Sequence, residues 1–129
     1  MLRAVMEGVA YSLRDCFEIC REMGIDISDM TACGGGGTSS LWRQMLADLY
    51  KCPVKTSASK EGPALGAAIL AAVGAGIYSS VPEACSAIVK TDKIQQPISE
   101  NIPKYDSCYK LYTEIYPALK DKFKVLAKL

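Results

Sequence analysis

Four consecutive glycines at residues 34–37 constrain this chain more than any other feature of its sequence. A short stretch at residues 30–33 precedes them, and a helical pattern with apolar residues from Leu41 to Leu49 follows them. Glycine has no Cβ, so such a run allows positive φ angles and lets a flat or anionic ligand lie directly against the backbone. The pattern predicts a strand, a glycine turn and a helix that ends near Lys51.

The first turn of this helix, residues 38–41, adds to the potential of the glycine turn for binding. Unpaired N–H groups and the positive end of the helix dipole favour an anion such as phosphate at this place. The run is not a P-loop, because no lysine follows until Lys51, and a dinucleotide fingerprint would need its third glycine at Ser39 or Ser40. Two interpretations remain open from the residues alone: a nucleotide or phosphate site, and a plain strand-to-helix turn.

The other segments predict a helix-rich chain. Apolar residues at intervals of three and four indicate an amphipathic helix over residues 2–23, which Gly24 ends. A second short strand is expected at residues 53–56, a short helix at 81–89 and an irregular crossing at 90–103. The last helix, which Pro117 should bend or break, carries a tyrosine stripe that we interpret as a packed face. The stripe consists of Tyr105, Tyr109, Tyr112 and Tyr116.

Between Glu61 and Glu83 the chain carries no charged residue. Its apolar part, residues 64–73, predicts a buried helix with Pro63 in the first turn. A membrane-anchored helix at residues 63–78 is the alternative, but glycines and serines shorten the apolar stretch to about a dozen residues, and a span needs about 20. A buried helix of a soluble protein is therefore favoured.

Composition excludes several kinds of chemistry. The chain has no histidine, which removes histidine bases and the commonest metal ligand. A net charge of +1 is too small for an electrostatic footprint on nucleic acid or an anionic membrane. The six cysteines form no Cys-x-x-Cys pair, so we interpret them as reduced thiols; Cys16 and Cys20, one helical turn apart, could share a buried face. No signal peptide is evident at the N-terminus, and a cytoplasmic location is expected.

Four segments in register resemble the FGGY carbohydrate kinases. Residues 33–48, Cys-Gly-Gly-Gly-Gly-Thr-Ser-Ser-Leu-Trp-Arg-Gln-Met-Leu-Ala-Asp, resemble the family's adenosine motif G-G-G-A-x-S-x-x-W-R-Q-x-x-A-D, with the xylulokinase branch the most similar. Residues 61–68 resemble its E-x-x-A-L-G-A-A helix and residues 7–14 its E-G-x-A-x-x-L-R helix. Tyr109, Tyr112 and Leu119 resemble the xylulokinase tail. The resemblance covers nearly the whole chain.

The resemblance implies an α/β fold: the C-terminal portion of an actin-like ATPase (ribonuclease H-like) domain, helix-rich with about two core strands. Residues 1–129 would be the C-terminal fragment of domain II, on the ATP-binding side, without a second domain. The parent enzyme would transfer a phosphoryl group from ATP to a ketopentose such as xylulose, with Mg²⁺ held mainly through the nucleotide. The fragment alone is expected to be inactive, because the sugar site and the catalytic aspartate would lie outside it. The alternative is a non-catalytic binding or assembly module that associates with itself through exposed helix faces.

By the same resemblance, the chain would contain nucleotide-binding residues but neither a catalytic residue nor a metal ligand. The implied nucleotide-binding residues are Gly35, Gly36, Gly37, Ser40 and Gln44. Gly37 stands where the family usually has alanine, which should loosen the turn. Asp48 is interpreted as a helix-surface position and Glu61 as a helix N-terminal acid. The implied partners are an adenine nucleotide and, only in the full-length parent, a sugar; nucleic acid and membrane are not expected.

Overall fold

The computed structural model describes residues 1–59 and 62–129. Six helices and three strands are found in these ranges, which confirms a helix-rich α/β fold. In chain order they are α1 (Leu2–Glu22), β1 (Met30–Ala32), α2 (Gly34–Gly37), α3 (Ser40–Tyr50), β2 (Val54–Ser57), α4 (Gly62–Gly74), α5 (Val81–Ile88), β3 (Thr91–Gln95) and α6 (Ile102–Leu126). Glu61, interpreted above as a helix N-terminal acid, lies outside the described residues.

The strands form one sheet in the order β1-β2-β3. β1 and β2 are parallel, with Met30 opposite Val54, as two strands linked by a helical crossover should be. β3 pairs antiparallel with β2, so the expectation of an irregular crossing over all of residues 90–103 is wrong. Most side chains of β3 are exposed, and its sequence Thr-Asp-Lys-Ile-Gln therefore lacks the apolar alternation that reveals a half-buried strand.

The core lies where α3 packs against α1, α6 and β2. Met45, Leu49 and Tyr50 of α3 are almost fully buried, together with Val54 of β2. The α3 helix begins after Ser39, whose Oγ accepts a hydrogen bond from the backbone N–H of Trp42 at 3.3 Å. This cap fixes the start of the helix that follows the glycines.

The tyrosine stripe of α6 packs on α1, as predicted, for three of its four members. The ring of Tyr11 lies 5.4 Å from that of Tyr112 and 6.1 Å from that of Tyr109, and Tyr105 is buried nearby. Tyr116 is exposed. The helix does not break at Pro117 but continues to Leu126, because proline removes only one backbone hydrogen bond and the bonds on either side remain.

The apolar helix α4 is mostly exposed, which contradicts the expectation of a buried helix. Its one fully buried side chain is Ile69, and its main neighbour is α5. Leu70 is 62% exposed. Within residues 1–59 and 62–129, no helix has the length and apolar character needed to cross a membrane.

All six cysteine thiols are free. Cys16 is exposed and Cys20 is half-buried, so the shared buried face expected for them is absent. The buried positions of α1 are Ala10, Tyr11 and Arg14. Cys52 is buried between α3 and β2, and this burial raises the pKa of its thiol.

Candidate functional site

The four glycines form one helical turn, α2, instead of an open loop. Only the first of them, Gly34, has a positive φ, at 71°. The turn is closed at its end by Thr38, whose hydroxyl donates to the carbonyl oxygen of Gly35 at 2.7 Å. All four glycines could adopt positive φ angles, but only Gly34, where β1 leads into the turn, does so.

Gly37 is the glycine that leaves no room for a side chain in this structure. It is buried, and a Cβ at this position would lie 2.8 Å from the carbonyl oxygen of Ala32, a distance that real Cβ atoms do not tolerate. Its own carbonyl accepts a hydrogen bond of 2.5 Å from Nη1 of Arg43. The close approach to Ala32 and the bond from Arg43 fix the position of Gly37. The expectation that glycine loosens the turn relative to alanine stays a prediction.

A cleft of about 370 Å³ opens beside this turn. It lies where β1 and β2 end, and ligand sites in α/β proteins form at this edge of parallel strands. Its walls come from the glycine turn, the segment after β2 and the start of β3. The described lining residues are Ala32, Cys33, Gly34, Gly35, Gly37, Thr38, Arg43, Thr56, Ser57, Ala58, Ser59, Gly62, Asp92 and Lys93.

The structure brings Gly35 and Gly37, two of the five residues expected to bind nucleotide, to the wall of the cleft. Gly36 lies on the other side of the turn, where a Cβ would be 3.3 Å from Nε1 of Trp42. Ser40 is exposed at the first position of α3, outside the described lining. The roles of these residues in binding stay predictions.

Gln44, the fifth expected residue, is engaged in a hydrogen-bond network away from the cleft. Its Nε2 donates to Oδ1 of Asp48 at 2.7 Å and to the carbonyl of Gln96 at 3.0 Å. Asp48 also accepts from the backbone N–H of Ile98 and from Nδ2 of Asn101, both at 2.7 Å. The interpretation of Asp48 as a helix-surface position is therefore wrong: it is only 1% exposed and holds the segment before α6.

The sequence did not indicate Arg43 or Lys93 as site residues. Arg43 is 5% exposed and lies in the lining of the cleft beneath the glycine turn. Lys93 belongs to β3, the strand that the sequence failed to reveal. Asp92 lines the same cleft, and so does Cys33, whose thiol is exposed next to Gly34. The only signal for Arg43 was its place in the Trp-Arg-Gln segment of the motif.

The described residues do not suit a resident metal ion. Within residues 1–59 and 62–129, no three side chains of histidine, cysteine, aspartate or glutamate come together as a metal-binding group. A hard cation such as Mg²⁺ prefers several oxygen ligands. No step of the chemistry is therefore assigned to a metal held by these residues.

Parallel strands that end at a glycine turn define the class of this chain: an α/β unit with its ligand cleft at the strand ends. A model of the FGGY family of carbohydrate kinases, C-terminal domain, matches residues 1–75, and the chain belongs to this family. The resemblance of the glycine motif is thereby confirmed.

The relatives are sugar kinases. A xylulose kinase of Staphylococcus epidermidis is 39% identical over 118 residues, which cover 92% of this chain and 24% of the relative. A ribulokinase of Bacillus licheniformis is 35% identical over 98% of this chain and 24% of its own length. The chain therefore spans about a quarter of the length of these curated relatives.

A solved structure supports the fold. The ligand-bound xylulose kinase of Lactobacillus acidophilus matches 92% of this chain and 24% of its own chain, with a TM-score of 0.84 and 27% identity. The expected fold, a portion of the C-terminal domain of an actin-like kinase, is thus confirmed. The sheet has three strands, one more than expected.

Proposed function

We propose that this chain is the ATP-binding side of a carbohydrate kinase, the C-terminal part of its second domain. The whole enzyme would transfer a phosphoryl group from ATP to a ketopentose, xylulose being favoured because xylulose kinases stand among the relatives. The observation that carries the proposal is the glycine turn at the carboxyl ends of β1 and β2 in a chain of this family. A cytoplasmic location accords with the use of ATP and with six free thiols.

The geometry suits the binding of an adenine nucleotide. The glycine turn brings backbone close to the cleft, since Gly35 has nothing within 4 Å of the place where a Cβ would stand. Arg43 and Lys93 contribute two positive charges to the described lining and Asp92 one negative charge. A cleft with this balance attracts phosphate groups.

The chain by itself would bind nucleotide without phosphorylating sugar. Phosphoryl transfer depends on holding the donor and acceptor in line and on stabilising the transferred charge. In this proposal the sugar site and the catalytic aspartate belong to the remaining three quarters of the kinase. Mg²⁺ would be held mainly by the phosphates of ATP, and it would neutralise their charge during transfer.

Calorimetric titration with ADP tests the proposal. The variant Gly35→Val adds a side chain at the wall of the cleft without a predicted clash, because the space around that Cβ is open. We expect the wild-type chain to bind ADP and Gly35→Val to bind it at least about tenfold more weakly. Gly8→Val in α1 is the matched control, since its Cβ also meets nothing within 4 Å.

Two results would contradict the proposal. Absence of ADP binding by the wild type would refute a nucleotide site in this chain. Equal affinity of wild type and Gly35→Val would place the nucleotide away from the glycine turn. A coupled assay with ATP, Mg²⁺ and xylulose tests the second part: turnover by this chain alone would refute the statement that its catalytic base is missing.

A further inference from the structure

Arg43 is a buried cation that has no counter-charge among the described residues. Its Nη1 donates to the carbonyl of Gly37, and its Nε is fully buried with no hydrogen-bond partner in the parts of the chain that the structure describes. Nη2 likewise makes no hydrogen bond to a described residue. Among the described residues, one neutral carbonyl is therefore the only hydrogen-bond partner of this guanidinium.

Arg14, the other buried arginine among the described residues, differs from Arg43 in having acidic partners. Arg14 forms ion pairs with Glu18 at 3.0 Å and with Asp106 at 2.8 Å. Arg43 forms no ion pair with any described residue. Asp92 lines the same cleft, but its carboxylate does not come close enough to the guanidinium of Arg43 to form one. Burial of an unpaired charge is costly, so a site that keeps one calls for an anion from outside.

The surroundings of Arg43 favour such an anion. The cleft that it lines also contains Lys93, a second cationic side chain. A guanidinium offers several donors in one plane and matches the oxygens of a phosphate group. Two cationic side chains, Arg43 and Lys93, thus line the same cleft.

We propose that Arg43 binds a phosphate group of the ligand through Nη2, while Nη1 keeps the carbonyl of Gly37 in place. The proposal rests on the proposed function in that it takes an adenine nucleotide as the ligand. It assigns to the arginine of the Trp-Arg-Gln segment a direct contact with ligand, in addition to its support of the glycine turn. The bound phosphate then supplies the counter-charge that the described residues do not supply.

The test compares ADP with adenosine, because only ADP carries phosphate. In Arg43→Met the ratio of ADP affinity to adenosine affinity should fall about tenfold or more. The loss of one charge-assisted hydrogen bond to phosphate weakens binding by about this factor. A disturbed glycine turn would lower the affinity for both ligands alike, and the ratio cancels such a common loss of affinity. Arg3→Met, which removes an exposed charge of α1, is the control and should leave the ratio unchanged.

An equal loss of ADP and adenosine affinity in Arg43→Met would overturn the proposal and leave Arg43 with a positioning role alone. If circular dichroism shows that Arg43→Met is unfolded, Arg43→Lys decides instead. Lysine keeps the charge and loses the planar donors, so a smaller fall of the same ratio is expected. An unchanged ratio would refute the contact.

Titration with inorganic pyrophosphate separates this proposal from the proposed function. Should the wild type bind neither ADP nor adenosine, the proposed function fails. Pyrophosphate binding that Arg43→Met abolishes would then still support the contact with phosphate. Absence of pyrophosphate binding in that case would overturn it as well.

Discussion

The carboxylate of Asp48 accepts three hydrogen bonds of 2.7 Å inside the protein. One comes from Gln44 one turn earlier in α3, and two come from Ile98 and Asn101, about fifty residues further along the chain. Hydrogen bonds to a buried charge are among the strongest in proteins. This single side chain therefore attaches the segment between β3 and α6 to the central helix.

Replacement of Asp48 by alanine should lower the free energy of unfolding by about 3 kcal/mol, because buried donors lose their charged acceptor. Urea denaturation at neutral pH measures the change. Asp121→Ala is the control: this carboxylate is 89% exposed, and its loss should change stability by less than about 0.5 kcal/mol. A loss below about 1 kcal/mol for Asp48→Ala would show that the network contributes little.

At the scale of residues, the sequence predicted the glycine turn but not the polar side chains that support it. The turn could be predicted from local sequence, because the backbone freedom of each glycine acts at its own position. The burial of Asp48 and Arg43 depends on Ile98, Asn101 and Gly37, which meet them only in the folded chain. Nothing in the spacing of residues 43–48 distinguishes such side chains from solvated ones.

Helices α1 and α6 are joined by a charged cluster as well as by tyrosines. The guanidinium of Arg14 lies 4.2 Å above the ring of Tyr109 and pairs with Asp106 at 2.8 Å. Lys51, just after α3, reaches the other oxygen of Asp106 at 2.9 Å. Partial burial opposes the charge of Asp106, but the hydrogen bonds from Lys51 and Arg14 prevail and hold the pKa of this carboxyl below its usual value.

This lowered pKa predicts a loss of stability in acid. A carboxyl whose pKa is lower in the folded state stabilises the fold above its unfolded pKa, about 3.9, and loses that contribution as the pH falls through the folded pKa. The free energy of unfolding of Asp106→Asn should lie about 1 kcal/mol below the wild type at pH 7, a value reduced by the partial exposure of the pair. The gap should close below about pH 4.

Urea denaturation between pH 7 and pH 3 measures this gap. Asp121→Asn, which affects an exposed pair within α6, should show no such dependence. A gap for Asp106→Asn that stays constant across the range would mean that its charge does not join α6 to α1.

At the scale of elements, the helices were predictable where their signals are local. The apolar period of α1 and the cap of α5, where Ser80 accepts from the backbone of Glu83, can be read directly from the sequence. The strand β3 could not be predicted, because its stability comes from pairing with β2 and its side chains face solvent. The exposure of α4 could not be predicted either. An apolar composition indicates that a helix tends to be buried, but it does not show whether another element packs against it.

The molecule as a whole exposes many large apolar side chains. Leu70 and Ile77 lie open on α4 and just after it, and Leu2 and Val5 lie open on α1. Large exposed apolar patches mark surfaces of interaction. The relatives are about four times as long as this chain.

The isolated chain should therefore associate with itself through α4 as its concentration rises. Sedimentation velocity over a range of micromolar concentrations measures the association. Leu70→Ser should weaken it, because it removes an apolar contact of about 2 kcal/mol. Leu111→Ser on α6 is the matched control, with 64% exposure against 62% for Leu70. A chain that stays monomeric, or equal effects of the two variants, would contradict a role of α4.

Cys33 gives the cleft a chemical reporter of its own. Its thiol is exposed where β1 leads into the glycine turn, on the wall that a nucleotide would approach. A thiol-reactive fluorophore attached there would sense occupancy without any residue being introduced. Cys16 and Cys108, the other exposed thiols, lie on the outer helices and can be changed to serine beforehand.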